Sequence, residues 1–502
     1  MEVKPYNRRM LPDRIYRVTD LRAVEASAAS EPLMERAGLA AAGVARELLA
    51  ERSPRVLVLA GPGNNGGDAL VVARWLKSWF YDVTVAFHGD ENKFSTDATE
   101  AHRNWISLEG TTVDEWPARG QWGLIVDGLF GIGLKRAIEG VHAEWITRAN
   151  ASGVPILSLD IPSGLNADTG IAYAPTVRAA ATATFIALKP GLLTGDGPDH
   201  CGVLSVHALE LDLRRSAAAH GERLRWEALR MHMPEPLLRT RKNVHKGSFG
   251  TLAIVGGNDG MVGAALLAGR AALHLGAGKV WVGLAANAAP PFDSAQPELM
   301  LRRADRVIDD GPDAIIVGPG LGTDERAQKL LHRALETASP LVIDADALTL
   351  SSRDVALAAK VASRHGATVL TPHPGEASRL AGATVASIQG DRLGSALDLA
   401  RRMKAAVVLK GAGSVLAFAD GSWAINSSGN PGLASAGSGD VLSGMLGALL
   451  AQGVGLSEAV RLAVCVHGAA ADALVAKGIG PLGLTATEIA PAARRLINAA
   501  RG

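Results

Sequence analysis

The sequence predicts two consecutive α/β domains, each built on a parallel β-sheet. The chain has 502 residues, more than one hydrophobic core ordinarily organises. Short apolar runs alternate with helical stretches, and strands separated by helices form right-handed βαβ units with parallel strands. Gly and Ala are abundant while aromatic residues make up only 4%. This composition suits buried strands and close packing of helices on a sheet.

The first series of strands begins near Val56, after an Ala- and Glu-rich segment that predicts leading helices. A helix is predicted at DALVVARWLKSWF (68–80). The predicted strands are RVLVLAG (55–61), DVTVAF (82–87), GLIVDGLF (123–130), VPILSLD (154–160), TATFIAL (182–188) and GVLSVHAL (202–209). This alternation predicts a Rossmann-like parallel α/β sandwich over residues 1–215.

The pattern breaks between Asp212 and Trp226, where RRSAAAHGERLR is polar and has no strand signals. Residues 216–229 are therefore expected to form a linker. A second α/β domain is predicted over 230–502, with helices at GAALLAGRAALHLGAG (263–278) and RAQKLLHRALETA (326–338). Its predicted strands are GTLAIVGG (250–257), KVWVGL (279–284), AIIVGPG (314–320), PLVIDAD (340–346), ATVLTPH (367–373), AVVLKGAG (406–413) and SVLAFAD (414–420).

Charge and cysteine usage limit the class of partner. The formal net charge is +1 and no long basic run occurs, so nucleic acid is not expected as a partner. Cys201 and Cys465 lie far apart and have neither disulfide nor zinc spacing, which fits a reducing compartment. The N-terminus has no apolar signal core, and the apolar helical stretches are too short or interrupted to span a bilayer. A soluble, cytoplasmic protein without a membrane partner is expected.

A glycine-rich turn, GPGNNGGDAL (61–70), directly follows a predicted strand and precedes a helix. Its glycines allow close backbone approach, and free N–H groups at a helix start favour a phosphate. The turn matches neither the dinucleotide fingerprint nor the Walker loop, and it could be merely structural. Asn64, Asn65 and Asp68 favour a binding role, because a plain turn needs only one such residue.

Two further motifs follow predicted strands: DGLFGIGLKR (127–136) and SLDIPSGLNADTG (158–170). Asp127 could simply cap the next helix, and Asp160 could be a structural residue bonded to the amides of the turn that follows it. Open α/β sheets bind ligands at the carboxyl ends of their strands, so all three motifs are expected at one crevice. Asp160 is the candidate acid–base residue there.

These three motifs, in this order and spacing, resemble the NAD(P)HX epimerase family. The resemblance implies that Asp160 acts as acid–base residue beside the hydrated nicotinamide ring. It also implies a potassium ion at Asn65, Asp127 and Ser163, whose oxygens suit a hard cation. One departure is Ala69, where the family more often has Gly. The implied substrate contacts are Asn64, Asn65, Gly66, Gly67, Asp68, Gly131, Ile132, Gly133, Leu134, Lys135, Arg136 and Ala137.

The second half contains NPGLASAGSGDVLSGMLGALL (430–450), in which Gly437, Ser438 and Gly439 precede Asp440 at a predicted helix start. Such a helix start forms an anion hole, and Asp440 would project where an attacking hydroxyl lies. An Asp at this position is usually only a cap. A cap, however, needs neither the small residues before it nor a small-residue helix behind it, so the motif favours catalysis.

Three other motifs end predicted strands of this half. KGAGS (410–414) could hold a nucleotide phosphate or sugar. TPHPGE (371–376) makes His373 a candidate substrate contact, although a lone His is more often structural. In IDADAL (343–348), Asp344 and Asp346 could equally be helix caps or turn formers.

Together with VGPGLG (317–322), these motifs resemble the ribokinase-like superfamily and, within it, the NAD(P)HX dehydratase family. The segment KGSFGTLAIVGGNDGMVGAALLAGRAAL (246–273) fits the opening of that family as well. Leu433, Ala436 and Ser438 replace the usual Met, Gly and Thr, whereas the acid and its flanking glycines are retained. The implied contacts are Ala264, Gly322, His373 and Asp440 for the hydrated cofactor, and Lys410, Gly411, Ala412, Gly413, Ser414 and Gly439 for the adenine nucleotide.

The two resemblances imply repair of hydrated NADH and NADPH (NADHX and NADPHX). The first domain would interconvert the R and S epimers, and the second would dehydrate the S epimer with a magnesium ion and ADP or ATP. A homo-oligomer is expected. One alternative is a ribokinase-like kinase of a small vitamin alcohol with a nucleotide-sensing N-terminal domain. Another is that the N-terminal domain is a binding module without catalysis.

Overall fold

The computed structural model describes residues 14–117, 120–213 and 221–500. The chain divides into two compact units between Glu222 and Arg223, inside the segment expected to be a linker. Of that segment, residues 216–220 lie outside the described residues, whereas Gly221–Leu224 form strand β9 and Trp226–Leu229 form helix α7. Gly221 and Leu224 are buried while charged residues lie between them, so the polar composition hides this strand from sequence analysis.

The N-terminal unit contains a parallel sheet in the order β4-β3-β2-β5-β6-β7-β8. A short strand, β1, instead pairs antiparallel with β9. The strands are β1 Arg14–Ile15, β2 Arg55–Ala60, β3 Asp82–Phe87, β4 Thr111–Val113, β5 Leu124–Gly128, β6 Ile156–Leu159, β7 Ala181–Phe185 and β8 Val203–His207.

Helices cover both faces of this sheet, as the continuous apolar strands predict. Val56 and Val58 of β2 belong to one core, and Leu57 and Leu59 belong to a second, because successive side chains of a strand point to opposite faces. The helices are α1 Val18–Ser27, α2 Leu33–Leu49, α3 Asn64–Ser78, α4 Thr96–Ser107, α5 Gly140–Ala151 and α6 Gly197–His200.

The C-terminal unit has its strands in the order β18-β17-β16-β15-β14-β13-β10-β11-β12. The run from β16 to β12 is parallel, and β17 and β18 add an antiparallel pair at one side. The strands are β10 Thr251–Gly256, β11 Lys279–Leu284, β12 Met300–Arg303, β13 Ala314–Val317, β14 Leu341–Ile343, β15 Thr368–Leu370, β16 Ala406–Leu409, β17 Val415–Ala417 and β18 Trp423–Asn426.

Helices α9 and α17 of this unit pack closely together. A Cβ at Gly444 of α17 would lie 2.1 Å from the Ala268 carbonyl oxygen on α9. The small residues of DVLSGMLGALL therefore serve helix packing and do not by themselves indicate catalysis. The helices are α8 Glu235–Leu238, α9 Val262–His274, α10 Ala304–Val307, α11 Glu325–Glu336, α12 Ala345–Arg353, α13 Val355–Ser363, α14 Pro374–Ala381, α15 Val385–Gly390, α16 Arg392–Met403, α17 Ser438–Ala451, α18 Leu456–Val475 and α19 Ala486–Ala499.

Each sheet has one point where the strand order reverses. In the first unit it lies between β2 and β5, and in the second between β10 and β13. Such a reversal opens a crevice at the carboxyl ends of the strands, where ligands bind. Among the described helices none is long and apolar enough to cross a membrane, and Cys201 and Cys465 are buried free thiols.

Candidate active sites

The glycine-rich turn of the N-terminal unit is the start of a helix. Helix α3 begins at Asn64, four residues earlier than predicted, so Asn64 to Asp68 form its first turns. A Cβ at Gly66 would lie 1.8 Å from the Gly61 carbonyl oxygen, so backbone packing alone requires this glycine. The side chain of Asn64 accepts a hydrogen bond from the Ser95 hydroxyl (2.7 Å). Asn65 is buried, and its Nδ2 has no hydrogen-bond partner among the described residues.

Asp127 lies fully buried near the end of β5. Its carboxylate accepts hydrogen bonds from the Ser158 hydroxyl (2.8 Å), the Ser163 hydroxyl (2.6 Å) and the Ser163 amide (2.9 Å). Burial raises the pKa of Asp127, and the bonds from Ser163 oppose this shift. Because α5 starts only at Gly140, Asp127 does not cap that helix.

The loop between β5 and α5 lies against the start of α3. The position of a Cβ on Gly131 is 3.4 Å from the Asn65 Cβ. The Leu134 carbonyl accepts a hydrogen bond from the Asn166 side chain (3.4 Å). Gly133, Lys135, Arg136 and Ala137 are exposed, and Ile132 is half-buried. The structure thus brings this loop to Asn65 and leaves its basic residues in solvent.

Asp160 follows β6 with a φ of +63° and binds a buried lysine. Its carboxylate accepts hydrogen bonds from the Phe185 amide (3.0 Å), the Thr184 hydroxyl (3.3 Å) and the Lys189 ammonium group. Lys189 has no exposed side-chain surface, and its Nζ also donates to the Phe185 carbonyl (2.9 Å). These partners lie on β7 and the turn after it. The structural alternative, in which amides of the turn after Asp160 hold the carboxylate, is therefore not what the structure shows.

Two further carboxyl groups share the field of Lys189. Burial raises the pKa of Asp68 well above its usual range, the charges of Asp160 and Glu25 raise it further, and Lys189 opposes them. Burial and the charge of Asp160 likewise raise the pKa of Glu25 on α1. Three acidic groups and one buried ammonium group therefore form a cluster that can hold and exchange protons.

In the C-terminal unit, Asp440 is the third residue of α17. Gly437, with a φ of +86°, is the N-cap, so Asp440 does not hold the capping position. The Asp440 side chain is half-buried, and its pKa is raised to about 6 by burial and by the charges of Asp344 and Asp346, while Lys410 opposes the shift. A carboxyl group of this kind can accept a proton near neutral pH.

Lys410 connects β14, β16 and α17 beside Asp440. Its Nζ donates to Asp344 (3.0 Å), and the Ser443 hydroxyl of α17 donates to the other oxygen of Asp344 (2.7 Å). Burial opposes the charged form of Lys410, but the carboxylates of Asp344 and Glu376 outweigh it and raise its pKa. The position of a Cβ on Gly439 lies 3.3 Å from this Nζ. Asp344 thus binds Lys410 and Ser443 and makes no capping bond to α12.

His373 is the N-cap of α14. Its Nδ1 accepts hydrogen bonds from the amides of Gly375 (3.0 Å) and Glu376 (3.4 Å), and Glu376 accepts one from the His373 amide (2.8 Å). Burial and the nearby Lys410 lower the pKa of His373. A structural role, the alternative that the sequence left open, is therefore present, and the neutral ring can still offer Nε2 to a ligand.

The remaining predicted contacts lie in the segments that follow β10, β13 and β16. Ala264 lies in the first turn of α9, where its Cβ is 3.2 Å from the position of a Cβ on Gly320. The Gly322 amide donates to Asp346 (2.8 Å). The Lys410 to Ser414 segment joins β16 to β17, and within it the Gly411 amide donates to the Ser414 hydroxyl (3.3 Å). All of these segments therefore lie at the carboxyl end of the parallel strands.

The two units match two different protein families. Residues 30–191 match the family described as the N-terminus of YjeF-related proteins, and residues 252–495 match the NAD(P)H-hydrate dehydratase family. The chain is 38% identical to the bifunctional NAD(P)H-hydrate repair enzyme of Escherichia coli, over 97% of this chain and 95% of that protein. It is 36% identical to the enzyme of the same description from Coxiella burnetii, over 95% and 96%.

The chain belongs to the family of bifunctional NAD(P)H-hydrate repair enzymes. This membership confirms the family resemblance, the two-domain α/β fold and the bifunctional enzyme class predicted from the sequence. The C-terminal unit is also similar to the ADP/ATP-dependent NAD(P)H-hydrate dehydratase of Bacillus subtilis, crystallised with ATP and Mg²⁺. That match has 33% identity and a TM-score of 0.49, and it covers 55% of this chain and 97% of that one.

Three residues of the two crevices in this repair-family chain, Glu25, Lys189 and His467, were not predicted from the sequence. Glu25 lies on a helix that carries no motif, and Lys189 follows β7 in an otherwise apolar segment, where an isolated lysine at a strand end was the available signal. His467 on α18 is buried, its pKa is lowered to about 4 by burial, and its Nε2 lies 3.0 Å from the Ser438 carbonyl oxygen. Because a carbonyl only accepts, Nε2 donates and holds the first turn of α17.

Proposed function

We propose that the N-terminal crevice epimerises NADHX and NADPHX and that the C-terminal crevice dehydrates the S epimer with ADP or ATP. Family membership supports this pair of activities over the vitamin-alcohol kinase, because the relatives span both units. The observation that carries the chemistry is Asp440, a half-buried carboxyl group with a pKa of about 6 at a helix start. Association of identical chains stays a prediction.

In the N-terminal crevice, Asp160 takes the proton of the ring hydroxyl while the bond from the hydroxylated carbon to the ring nitrogen breaks, the nitrogen keeps the electron pair, and the oxygen becomes a carbonyl. When the nitrogen attacks the other face of that carbonyl, the bond re-forms with inverted configuration and Asp160 returns the proton. Lys189 fixes the carboxylate by an ion pair and is itself held by Thr184 (2.9 Å) and by the Phe185 carbonyl (2.9 Å). Asp68, whose pKa is raised, supplies a second carboxyl group that keeps its proton to higher pH. The first turns of α3 and the loop 131–137 border this group and would bind the substrate.

A potassium ion fits beside Asp127. This buried carboxylate forms no ion pair with a basic side chain in the described part of the chain, and the Asn65 amide nitrogen has no partner there. The amide can therefore turn its oxygen toward a cation, and carboxylate, amide and backbone carbonyl oxygens are ligands that a hard cation prefers. Asn65, Asp127 and Ser163 would hold the ion, which would balance the buried charge and attract a substrate phosphate.

In the C-terminal crevice, Asp440 accepts the proton of the ring hydroxyl as that oxygen attacks the terminal phosphoryl group of the nucleotide. The bond from phosphorus to the bridging oxygen breaks, and the nucleotide leaves one phosphate shorter. Phosphate then leaves the ring carbon, the neighbouring carbon loses a proton, and the dihydronicotinamide is restored. The amides at the start of α17 and the Lys410 ammonium group stabilise the negative charge.

Magnesium fits this crevice as a complex with the nucleotide. In the described residues no group of three or more His, Cys, Asp or Glu side chains could hold a metal ion by itself. Mg²⁺ commonly takes only one or two protein carboxylates and completes its shell with phosphates and water. Asp346, whose charge raises the pKa of the nearby Asp440, would supply such a carboxylate and leave Asp440 free to accept the proton. The bound ion would neutralise charge on the transferring phosphoryl group.

The decisive experiment incubates the full chain with pure R or S hydrate and ADP or ATP, and follows NADH absorbance and released phosphate. We expect NADH from both epimers. Asp440→Ala should abolish its formation while the two epimers still interconvert, and Asp160→Ala should slow only the R substrate. Asp420→Ala, in the exposed turn between β17 and β18, is the matched control. A phosphorylated alcohol in place of phosphate, or NADH formation by Asp440→Ala, would contradict the assignment.

A further inference from the structure

A cavity of about 470 Å³ lies beyond the predicted ring site, at the carboxyl ends of β11 and β12. Its lining includes the apolar side chains of Pro290, Pro291 and Leu301. Three arginines, Arg302, Arg303 and Arg326, line it as well. No acidic residue is among the described residues that line this cavity. A ligand that suits it has an apolar surface and one or more negative charges.

The three arginines differ in how far their charge is already used. Arg302 pairs with Asp310 (2.5 Å) and stacks over Trp281. Arg303 pairs with Asp305 (3.1 Å), but its side chain is 75% exposed, and such exposed pairs are weak. Arg326 donates to the Ala285 carbonyl (2.6 Å) and forms no ion pair with a carboxylate of the described chain. Arg326 and Arg303 therefore remain available to an anion.

The cavity adjoins the ring site through the loops at the strand-order reversal. The Asn258 amide donates to Gly320 (2.6 Å), next to Gly322, and Asp259 accepts from the Asn287 amide (3.0 Å) in the cavity wall. From β13 to β12 there are three strand spacings, about 14 Å. A dinucleotide with its ring at Gly322 and Asp440 is long enough to reach the cavity.

The cavity also lies far from the expected binding site of the donor nucleotide. The Lys410 to Ser414 segment follows β16, five strand spacings or about 24 Å from β11. An ADP whose phosphates lie at that segment cannot fill the cavity. The opposite end of the hydrated dinucleotide, an adenosine that carries phosphates, has the apolar base and the negative charge that the walls require.

We propose that this cavity binds the phosphate-bearing adenosine half of NADHX and NADPHX, an inference that rests on the proposed dehydratase function. Arg326 and Arg303 would bind either the pyrophosphate, which both substrates contain, or the additional 2′-phosphate of NADPHX. In both cases the contact is remote from the reacting ring, so it contributes to substrate binding rather than to the chemical step.

The test measures dehydration of S-NADHX and S-NADPHX by Arg326→Gln and Arg303→Gln in the full chain. We expect KM for the dinucleotide to rise about tenfold, the loss of roughly one charge-assisted hydrogen bond, with kcat and KM for ADP nearly unchanged. A rise for both substrates would assign the pyrophosphate, and a rise for NADPHX alone would assign the 2′-phosphate. Both results support the proposal.

Arg333→Gln is the matched control, because Arg333 lies on the same helix, α11, but pairs with Asp309 outside the cavity. The proposal is overturned if the KM for both dinucleotides stays at the wild-type value, if KM for ADP rises equally, or if Arg333→Gln has the same effect. If Arg326→Gln folds poorly, the Arg303→Gln variant still provides the test, because Arg303 is exposed. If the wild-type chain produces no NADH at all, the proposed function itself has failed.

Discussion

Replacing Lys189 by Met tests whether the N-terminal crevice depends on a buried ion pair. Lys189 is fully buried, and the Asp160 side chain with which it pairs is only 14% exposed. Met retains much of the apolar stem of lysine and removes the ammonium group. The variant therefore leaves Asp160 with the Phe185 amide and the Thr184 hydroxyl as its donors.

The expected loss in free energy of unfolding follows from the burial of this ion pair. Removing one partner of a buried ion pair costs about 3–5 kcal/mol, and we expect the lower end because Asp160 keeps some contact with water and two donors. At about 2–4 °C per kcal/mol for a domain of this size, the melting temperature of the unit should fall by about 6–12 °C. Adding Asp160→Asn should recover much of the loss, since the neutral amide leaves no unpaired buried charge. Lys93→Met, at an exposed lysine, should change stability by less than about 0.5 kcal/mol.

The assay for function starts from pure R-NADHX with ADP, so that NADH forms only after epimerisation. Lys189 lowers the pKa of Asp68 and of Glu25. Without it both values rise, so Asp68 loses its proton only at a higher pH, and the alkaline limb of the epimerisation profile should move to higher pH. A merely structural lysine would not move that limb. Unchanged stability together with an unchanged pH profile would refute the reasoning.

Three other results are expected. Because the pKa of Asp440 is about 6 in the folded chain, kcat/KM for dehydration should fall about tenfold per unit below that pH, whereas R/S interconversion should not share this limb. Because the pKa of Asp440 is raised in the folded state, its ionisation destabilises the folded chain as the pH rises. Asp440→Asn should therefore increase the free energy of unfolding by about 1–2 kcal/mol near pH 8, as measured by denaturant unfolding. The melting temperature should be higher in potassium chloride than in choline chloride at equal ionic strength, and the Asp127→Asn variant should lose this difference. If the variant keeps the difference, the potassium ion binds elsewhere.

The fold could be predicted because its central strands are buried on both faces. The segment RVLVLA of β2 is apolar at almost every position, as a doubly covered parallel strand requires. Two edge strands, β4 and β12, were missed for the converse reason. In β4, with the sequence TTV, and in β12, with MLRR, side chains meet water, so neither strand shows an apolar run.

The positions of the candidate acids were predictable, but their partners were not. Asp160 and Asp440 stand in glycine-rich motifs that are local in sequence. Lys189 lies 29 residues from Asp160, and Lys410 lies 66 residues from Asp344. Only the pairing of β6 with β7, and of β14 through β15 with β16, brings these groups together. No periodicity in the sequence expresses that strand order.

The two crevices use a buried lysine in different ways, and the difference fits the two reactions. In the first, Lys189 binds the acid–base residue directly, which fixes its position for a proton that is taken and returned. In the second, Lys410 binds Asp344, whose other oxygen is held by Ser443. The charge of Asp344 raises the pKa of Asp440 by more than the charge of Lys410 lowers it. A direct bond to the lysine would make Asp440 a weaker base, so Asp344 is the residue that leaves Asp440 able to take a proton during phosphoryl transfer.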